Sequence, residues 1–116
     1  MTKTLRVAVA DDEPDTREFF ERYLPRLGHQ VVAAAENGRQ LIELCRTAKP
    51  DLIITDIRMP DMSGIELADR ATGLRPGLKI ILISGYFVAQ QVNRRFLRKP
   101  FRMKELEFAV RAELGN

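Results

Sequence analysis

The fold of this chain is decided by the stretch Leu52–Asp56, with the sequence Leu-Ile-Ile-Thr-Asp. Apolar and β-branched residues fill its first four positions, and such a run between turn residues is typical of a fully buried strand. A loop that contains Pro60 and Gly64 follows the acid at once. Asp56 is therefore expected at the carboxyl edge of a sheet, which is where ligands bind in open α/β proteins.

Strand and helix patterns alternate along the rest of the chain. A helix is predicted from Pro14 until Gly28 ends it, a second from Asn37 to the break at Pro50, a third from Ser63 to about Ala71, and a last one over Phe101–Leu114. The predicted strands are Leu5–Ala10, Val31–Ala35, Leu52–Asp56, Leu78–Ile83 and Phe96–Arg98. This alternation, with strands that are apolar throughout, predicts an α/β fold in which helices cover both faces of a parallel sheet.

Composition places the chain among globular proteins of one domain, here residues 1–116. It has no signal-peptide pattern and no apolar run of membrane-spanning length, so we expect a cytoplasmic protein that does not bind membranes. The net charge is only +3, and the basic stretch from Arg94 to Lys104 is read as a solvated face. We therefore do not expect this domain itself to bind nucleic acid.

Three further residues lead to local predictions. Pro25 lies inside the last turn of the first helix, where we expect a bend or early fraying. His29 follows Gly28 in a turn and is predicted to lie at the surface. Cys45 is the only cysteine, so it forms no internal disulfide, and we interpret it as a small buried helix residue.

Polar side chains collect where four of the predicted strands end. Asp11 and Asp12 follow the first strand, Asp56 ends the third, Ser84 follows the fourth, and Lys99 follows the fifth. Neighbouring carboxylates repel one another unless a cation neutralises them, and Mg²⁺ prefers such oxygen ligands. A metal, an ammonium group and a hydroxyl together suit a phosphoryl group, and one carboxylate could then act as its nucleophilic acceptor.

Each of these residues also has an ordinary explanation. Asp12 and Glu13 favour the positive end of a helix, Ser84 suits a turn, and an isolated lysine such as Lys99 is usually solvated. Phe96 reads equally well as a core aromatic. None of these explanations accounts for the joint pattern, because Asp56 lies on a different strand from the first two acids.

The joint pattern resembles the receiver domain of bacterial two-component response regulators. The resemblance covers nearly the whole chain and is carried by Val7–Glu13, Pro50–Gly64, Ile81–Gly85 and Arg98–Phe101. It implies a doubly wound, flavodoxin-like sheet of five strands in the order 2-1-3-4-5. It also implies a cytoplasmic signalling protein that receives phosphoryl groups from a sensor histidine kinase or a histidine phosphotransferase.

The resemblance also implies roles for individual residues. Asp56 would be the phospho-acceptor and a Mg²⁺ ligand, together with Asp12 directly, Asp11 largely through water, and the main-chain carbonyl of Arg58. Lys99 would pair with the phosphoryl group.

The same resemblance implies a conformational switch around the phosphoryl group. Ser84 would move to hydrogen-bond that group, and Phe96 would change rotamer as Ser84 moves. The Lys99–Pro100 peptide bond would be cis.

The chain departs from the family between strands four and five. Lys99 follows Ser84 by only 15 residues, and the connection is close to the minimum of about 10–12 residues for a parallel crossover. We predict that the helix expected there is reduced to a turn or two around Val88–Asn93, or replaced by an irregular loop. The face that relatives use for dimerisation or for a fused or separate output protein must then have a different shape.

Two alternatives differ in class from a phospho-accepting switch. The first is a receiver-like interaction module that is not phosphorylated. The second is a Mg²⁺-dependent phosphohydrolase with an aspartyl-phosphate intermediate. The dehalogenase type of that enzyme needs an acid two residues after the nucleophile, where this chain has Arg58. We therefore expect a non-enzymatic protein, apart from self-catalysed phosphorylation and dephosphorylation.

Overall fold

A computed structural model describes residues 4–85 and 94–114 of the chain. Five parallel strands form one sheet in the order β2-β1-β3-β4-β5, which confirms the predicted fold class. The strands are β1 (Arg6–Ala10), β2 (Gln30–Ala35), β3 (Leu52–Asp56), β4 (Lys79–Ser84) and β5 (Arg95–Arg98). The helices are α1 (Pro14–Tyr23), α2 (Gly38–Ala48), α3 (Gly64–Leu74) and α4 (Met103–Glu113).

The sheet separates two apolar cores, because successive side chains of a strand point to opposite faces. On one face, Val9 and Ile54 pack in a cluster with residues of α1 and α4, among them Phe20 and Leu106. On the other face, alternate strand residues pack with α2 and α3. Every residue of β3 is buried, as expected for a central strand that is covered on both sides.

The end of α1 confirms the prediction for Pro25. The α-helix stops at Tyr23, and the chain continues as a 3₁₀ turn over Pro25–Leu27. Proline cannot donate the backbone hydrogen bond that a further α-helical turn would need. Gly28 ends this turn with φ of 89°, a left-handed conformation that suits glycine.

The prediction that His29 lies at the surface is wrong. The residue is only 6% exposed, and its Nδ1 accepts a hydrogen bond of 3.0 Å from the backbone N–H of Leu5. The turn brings His29 to the start of β2, beside the amide that precedes β1. This buried amide needs an acceptor, and the imidazole supplies it. Cys45, by contrast, is half-buried on α2.

The other boundaries differ little from the prediction. The helix α3 continues to Leu74, beyond the expected end near Ala71, and β5 begins at Arg95. The predicted remnant helix around Val88–Asn93 lies outside the described residues. None of the helices in the described ranges is long and apolar enough to cross a membrane.

Candidate functional site

Three carboxylates meet at the carboxyl edge of the sheet. Asp11 directly follows β1 and Asp56 ends β3, and these strands are neighbours in register, with Ala10 opposite Thr55. Together with Asp12, they offer one carboxylate oxygen each, and the three oxygens lie within 4.8 Å of one another. The sequence predicted that these three acids, which follow two separate strands, would lie close together, and the structure brings them together.

Lys99 brings a positive charge into this cluster from the end of β5. Its Nζ lies 2.8 Å from Asp11 Oδ2, 2.8 Å from Glu13 Oε1 and 3.4 Å from Asp56 Oδ2. The sequence pattern predicted Lys99 as a partner of a phosphoryl group, but it did not predict the contact with Glu13. The only available signal was that Glu13 directly follows the acid pair.

Burial and charge shift the pKa values of these groups. Burial raises the pKa of Asp56, and the nearby charge of Asp11 raises it further, against the lowering effect of Lys99. Burial likewise raises the pKa of Asp11. For Lys99, burial alone would lower the pKa, but the contacts with Asp11 and Glu13 outweigh it and raise the pKa above its usual value. The cluster therefore holds a permanent cation among acids that are costly to ionise.

The donor set fits a Mg²⁺ ion. Asp11 Oδ2 is buried, and although Lys99 lies close to it, no well-aligned hydrogen bond reaches this oxygen from any residue that the structure describes. Mg²⁺ binds oxygen ligands at about 2.1 Å in octahedral geometry and keeps several waters. Three carboxylate oxygens within 4.8 Å of one another are close enough to hold one such ion, directly or through its waters.

Hydrogen bonds to the start of α2 and to Asp56 hold the loop that follows Asp56. Asp61 accepts hydrogen bonds from the backbone N–H groups of Gly38 (3.1 Å) and Arg39 (2.8 Å) at the start of α2. The Arg58 N–H lies 3.4 Å from Asp56 Oδ1. The predicted role of the Arg58 carbonyl as a metal ligand stays a prediction.

Of the remaining predicted residues, Ser84 lies at the same edge of the sheet as the acids, and Phe96 does not. Ser84 is buried at the end of β4, and its carbonyl accepts a 2.8 Å hydrogen bond from the Lys99 N–H. The Lys99–Pro100 peptide bond is cis. Phe96 is half-buried and packs against the core on the α2 and α3 side, opposite Leu82 in the sheet. The structure thus brings Ser84 and Lys99 to the edge, while Phe96 lies further back along β5.

Ion pairs account for part of the basic stretch near β5. Arg94 contacts Asp69 of α3 at 3.1 Å, and Arg95 contacts Glu113 of α4 at 2.8 Å. Arg94, Arg95 and Lys99 therefore all form ion pairs within the fold. The expectation that the stretch does not bind nucleic acid stays a prediction.

An open cleft of about 1090 Å³ lies over the acids. Asp12, Asp56 and Lys99 line its polar part, and Phe19 and Phe101 line an apolar wall. Solvent and a reactant can therefore reach Asp56, although the residue itself is buried.

The chain is similar to known proteins over nearly its whole length. A family model described as the response regulator receiver domain matches residues 7–111. The response regulator receiver protein CpdR of Brucella abortus is 38% identical over 109 residues, which are 87% of this chain and 89% of that protein. The DNA-binding transcriptional regulator NtrC of Azospirillum brasilense is 36% identical over 95% of this chain, but the match spans only 24% of that protein.

Solved structures with a similar fold include another response regulator receiver domain. The signal receiver domain of the response regulator NarL from Mycobacterium tuberculosis superposes with a TM-score of 0.87 and 30% sequence identity. That match covers 99% of this chain and 100% of the other.

Proposed function

Because this chain belongs to the response regulator receiver domain family, we propose that Asp56 accepts a phosphoryl group from a phosphohistidine. The donor would be a sensor histidine kinase or a histidine phosphotransferase of a two-component system. The observation that carries this proposal is the position of Asp56: it is a buried carboxylate at the sheet edge, opens onto a cleft, and lies 3.4 Å from Lys99.

The chemical step is a displacement at phosphorus. A carboxylate oxygen of Asp56 forms the new bond to phosphorus, and the bond from phosphorus to the imidazole nitrogen breaks. The ring takes that electron pair and leaves as neutral imidazole, since its other nitrogen carries a proton.

The surrounding residues would stabilise the transferred group. Asp11, Asp12 and Asp56 would hold Mg²⁺, with the Arg58 carbonyl as a further ligand. Such an ion neutralises charge that develops on the phosphoryl oxygens. Lys99 is already directed at Asp56, and Ser84 lies at the neighbouring strand end. Both would bind phosphoryl oxygens after transfer.

We also propose what this chemistry does for the cell. The protein would act as a switch rather than as an enzyme, with self-catalysed phosphorylation and dephosphorylation at most. Its output would be a fused or separate protein, as the match to only part of NtrC illustrates for one relative. A homodimer is a further prediction, and so is a cytoplasmic location.

The test is a mass measurement of the intact protein. Incubation with Mg²⁺ and phosphoramidate should add one phosphoryl group, and Asp56→Asn should abolish that gain. Asp61→Asn is a suitable control, because Asp61 lies in the following loop and bonds to α2 instead of Lys99. If the wild type gains no mass with any donor, the interaction module that works without phosphorylation is the better explanation.

A further inference from the structure

We propose that Glu13 is a positioning residue that holds Lys99 before phosphorylation and competes with the incoming phosphoryl group for it. This inference rests on the proposed function of Asp56. It concerns a different residue, however, and it predicts a change in rate and affinity rather than the presence or absence of the reaction.

The contact itself is short and comes from a well-defined turn. Glu13 Oε1 lies 2.8 Å from Lys99 Nζ, in a hydrogen bond between residues 86 positions apart. Glu13 is also the residue that precedes α1, and its backbone N–H donates a 2.9 Å hydrogen bond to Asp11 Oδ1. The turn that places Asp11 in the acid cluster therefore also places the Glu13 carboxylate beside Lys99.

The three acids around Lys99 differ in their freedom to move. The side chain of Asp11 is fully buried and that of Asp56 is 10% exposed, whereas that of Glu13 is 63% exposed. The Lys99 ammonium therefore already has three carboxylates within 3.4 Å. A phosphoryl group on Asp56 would add three acceptor oxygens beside the same ammonium. One partner must then give way, and Glu13 is the one that water can solvate at little cost.

The negative charge of Glu13 should also slow phosphorylation. Its carboxylate lines the cleft beside Asp56, where an anionic phosphodonor has to enter. Removing this carboxylate should therefore free Lys99 and weaken the repulsion of the donor. Because Glu13 is exposed, the expected gain is modest, about two- to fivefold in the phosphorylation rate.

The chain offers a matched control for the charge. Asp15 lines the same cleft and is exposed, and among the described residues it forms no ion pair with Lys99. Asp15→Asn and Glu13→Gln remove the same charge, but only Glu13→Gln removes an ion pair with Lys99. Glu13→Asp keeps the charge and withdraws the carboxylate by one methylene group.

The experiment measures two quantities for each variant in the presence of Mg²⁺. The first is the phosphorylation rate constant with phosphoramidate. The second is the affinity for beryllofluoride, a non-covalent mimic of the phosphoryl group. Glu13→Gln and Glu13→Asp should both react faster than Asp15→Asn and bind beryllofluoride more tightly, by about two- to fivefold.

The outcomes separate this inference from the proposed function. If the wild type is phosphorylated but Glu13→Gln matches Asp15→Asn in both quantities, the role of Glu13 is overturned and that of Asp56 stands. An increase in Glu13→Gln but not in Glu13→Asp would assign the effect to charge alone, which also overturns the positioning role. If the wild type neither reacts nor binds beryllofluoride, both proposals fail.

Discussion

Single side chains at the sheet edge contact several partners each, so one substitution there affects several contacts. Lys99 contacts three acids, and Asp11 contacts both Lys99 and the Glu13 N–H. Replacing one partner of a buried charge leaves the other without compensation, which costs more than the pair itself contributes. Residue identity therefore matters more here than on the exposed helix faces, where ion pairs such as Arg70–Glu66 contribute little.

His29 predicts a pH dependence of stability far from the acids. Burial lowers its pKa below the ordinary value of 6.5, so the unfolded chain takes up a proton more readily than the folded one. The contribution of His29 is fully present above pH 6.5 and is lost as the pH falls through the folded pKa. The free energy of unfolding should therefore fall between those two pKa values, by at most about 1.4 kcal/mol per pH unit.

His29→Asn tests this dependence. Asparagine offers Oδ1 near the position of Nδ1, so it can still accept the Leu5 N–H, but it does not titrate. Urea unfolding at several pH values between 5 and 8 should show a shallower slope for the variant than for the wild type. Equal slopes would mean that His29 does not cause the effect.

At the scale of elements, α3 approaches β3 closely because its first residue is glycine. A Cβ built on Gly64 would lie 2.2 Å from the Asp56 carbonyl oxygen. Backbone atoms cannot give way as a flexible side chain can. The glycine therefore allows the loop after Asp56 to turn back sharply, and the Gly64 N–H donates a 2.8 Å hydrogen bond to the Ile57 carbonyl.

Gly64→Ala should consequently destabilise the protein by about 1–3 kcal/mol and displace Asp56. Thermal unfolding and the phosphorylation rate should both report the change. Gly73 is a matched control in the same helix, because nothing lies within 4 Å of a Cβ at that position. Gly73→Ala should stabilise by about 0.5–1 kcal/mol, as alanine does in helix interiors. Equal effects of the two substitutions would contradict the argument.

Folding of the whole molecule gathers three carboxylates at one edge of the sheet, and a bound cation would reduce the repulsion between them. Asp11, Asp12 and Asp56 come from two strand ends that only the assembled sheet brings together, so the unfolded chain has no such site. A ligand that binds only the folded state stabilises it by RT ln(1 + [L]/Kd), which grows with the logarithm of the ligand concentration once that concentration exceeds Kd.

Mg²⁺ should therefore raise the Tm, and a concentration ten times Kd corresponds to about 1.4 kcal/mol. Asp12→Asn should reduce this shift, whereas Asp15→Asn should largely keep it, because Asp15 is not one of the three clustered acids. The measurement compares MgCl₂ with NaCl at equal ionic strength. A shift of the same size with both salts would show that the acids respond to screening alone.

Much of the fold and of the site could be predicted because the signals are local. The run Leu52–Asp56 shows both the strand and its terminal acid, and Pro25 shows where α1 ends. The position of His29 could not be predicted in this way. Its burial depends on the Leu5 amide, which is 24 residues away in the chain, and no local pattern encodes that hydrogen bond.

The sequence by itself determined the order of strands and helices, the apolar character of both sheet faces, and the acids, hydroxyl and lysine that follow the strands. These properties depend on the periodicity and the type of neighbouring residues. Only the tertiary structure decided which partners these groups share. Lys99 binds Glu13 as well as Asp11 and Asp56, and Asp61 fastens the loop after Asp56 to α2. Such contacts join residues far apart in the chain, and they form only when the parallel strands bring their carboxyl ends to one edge.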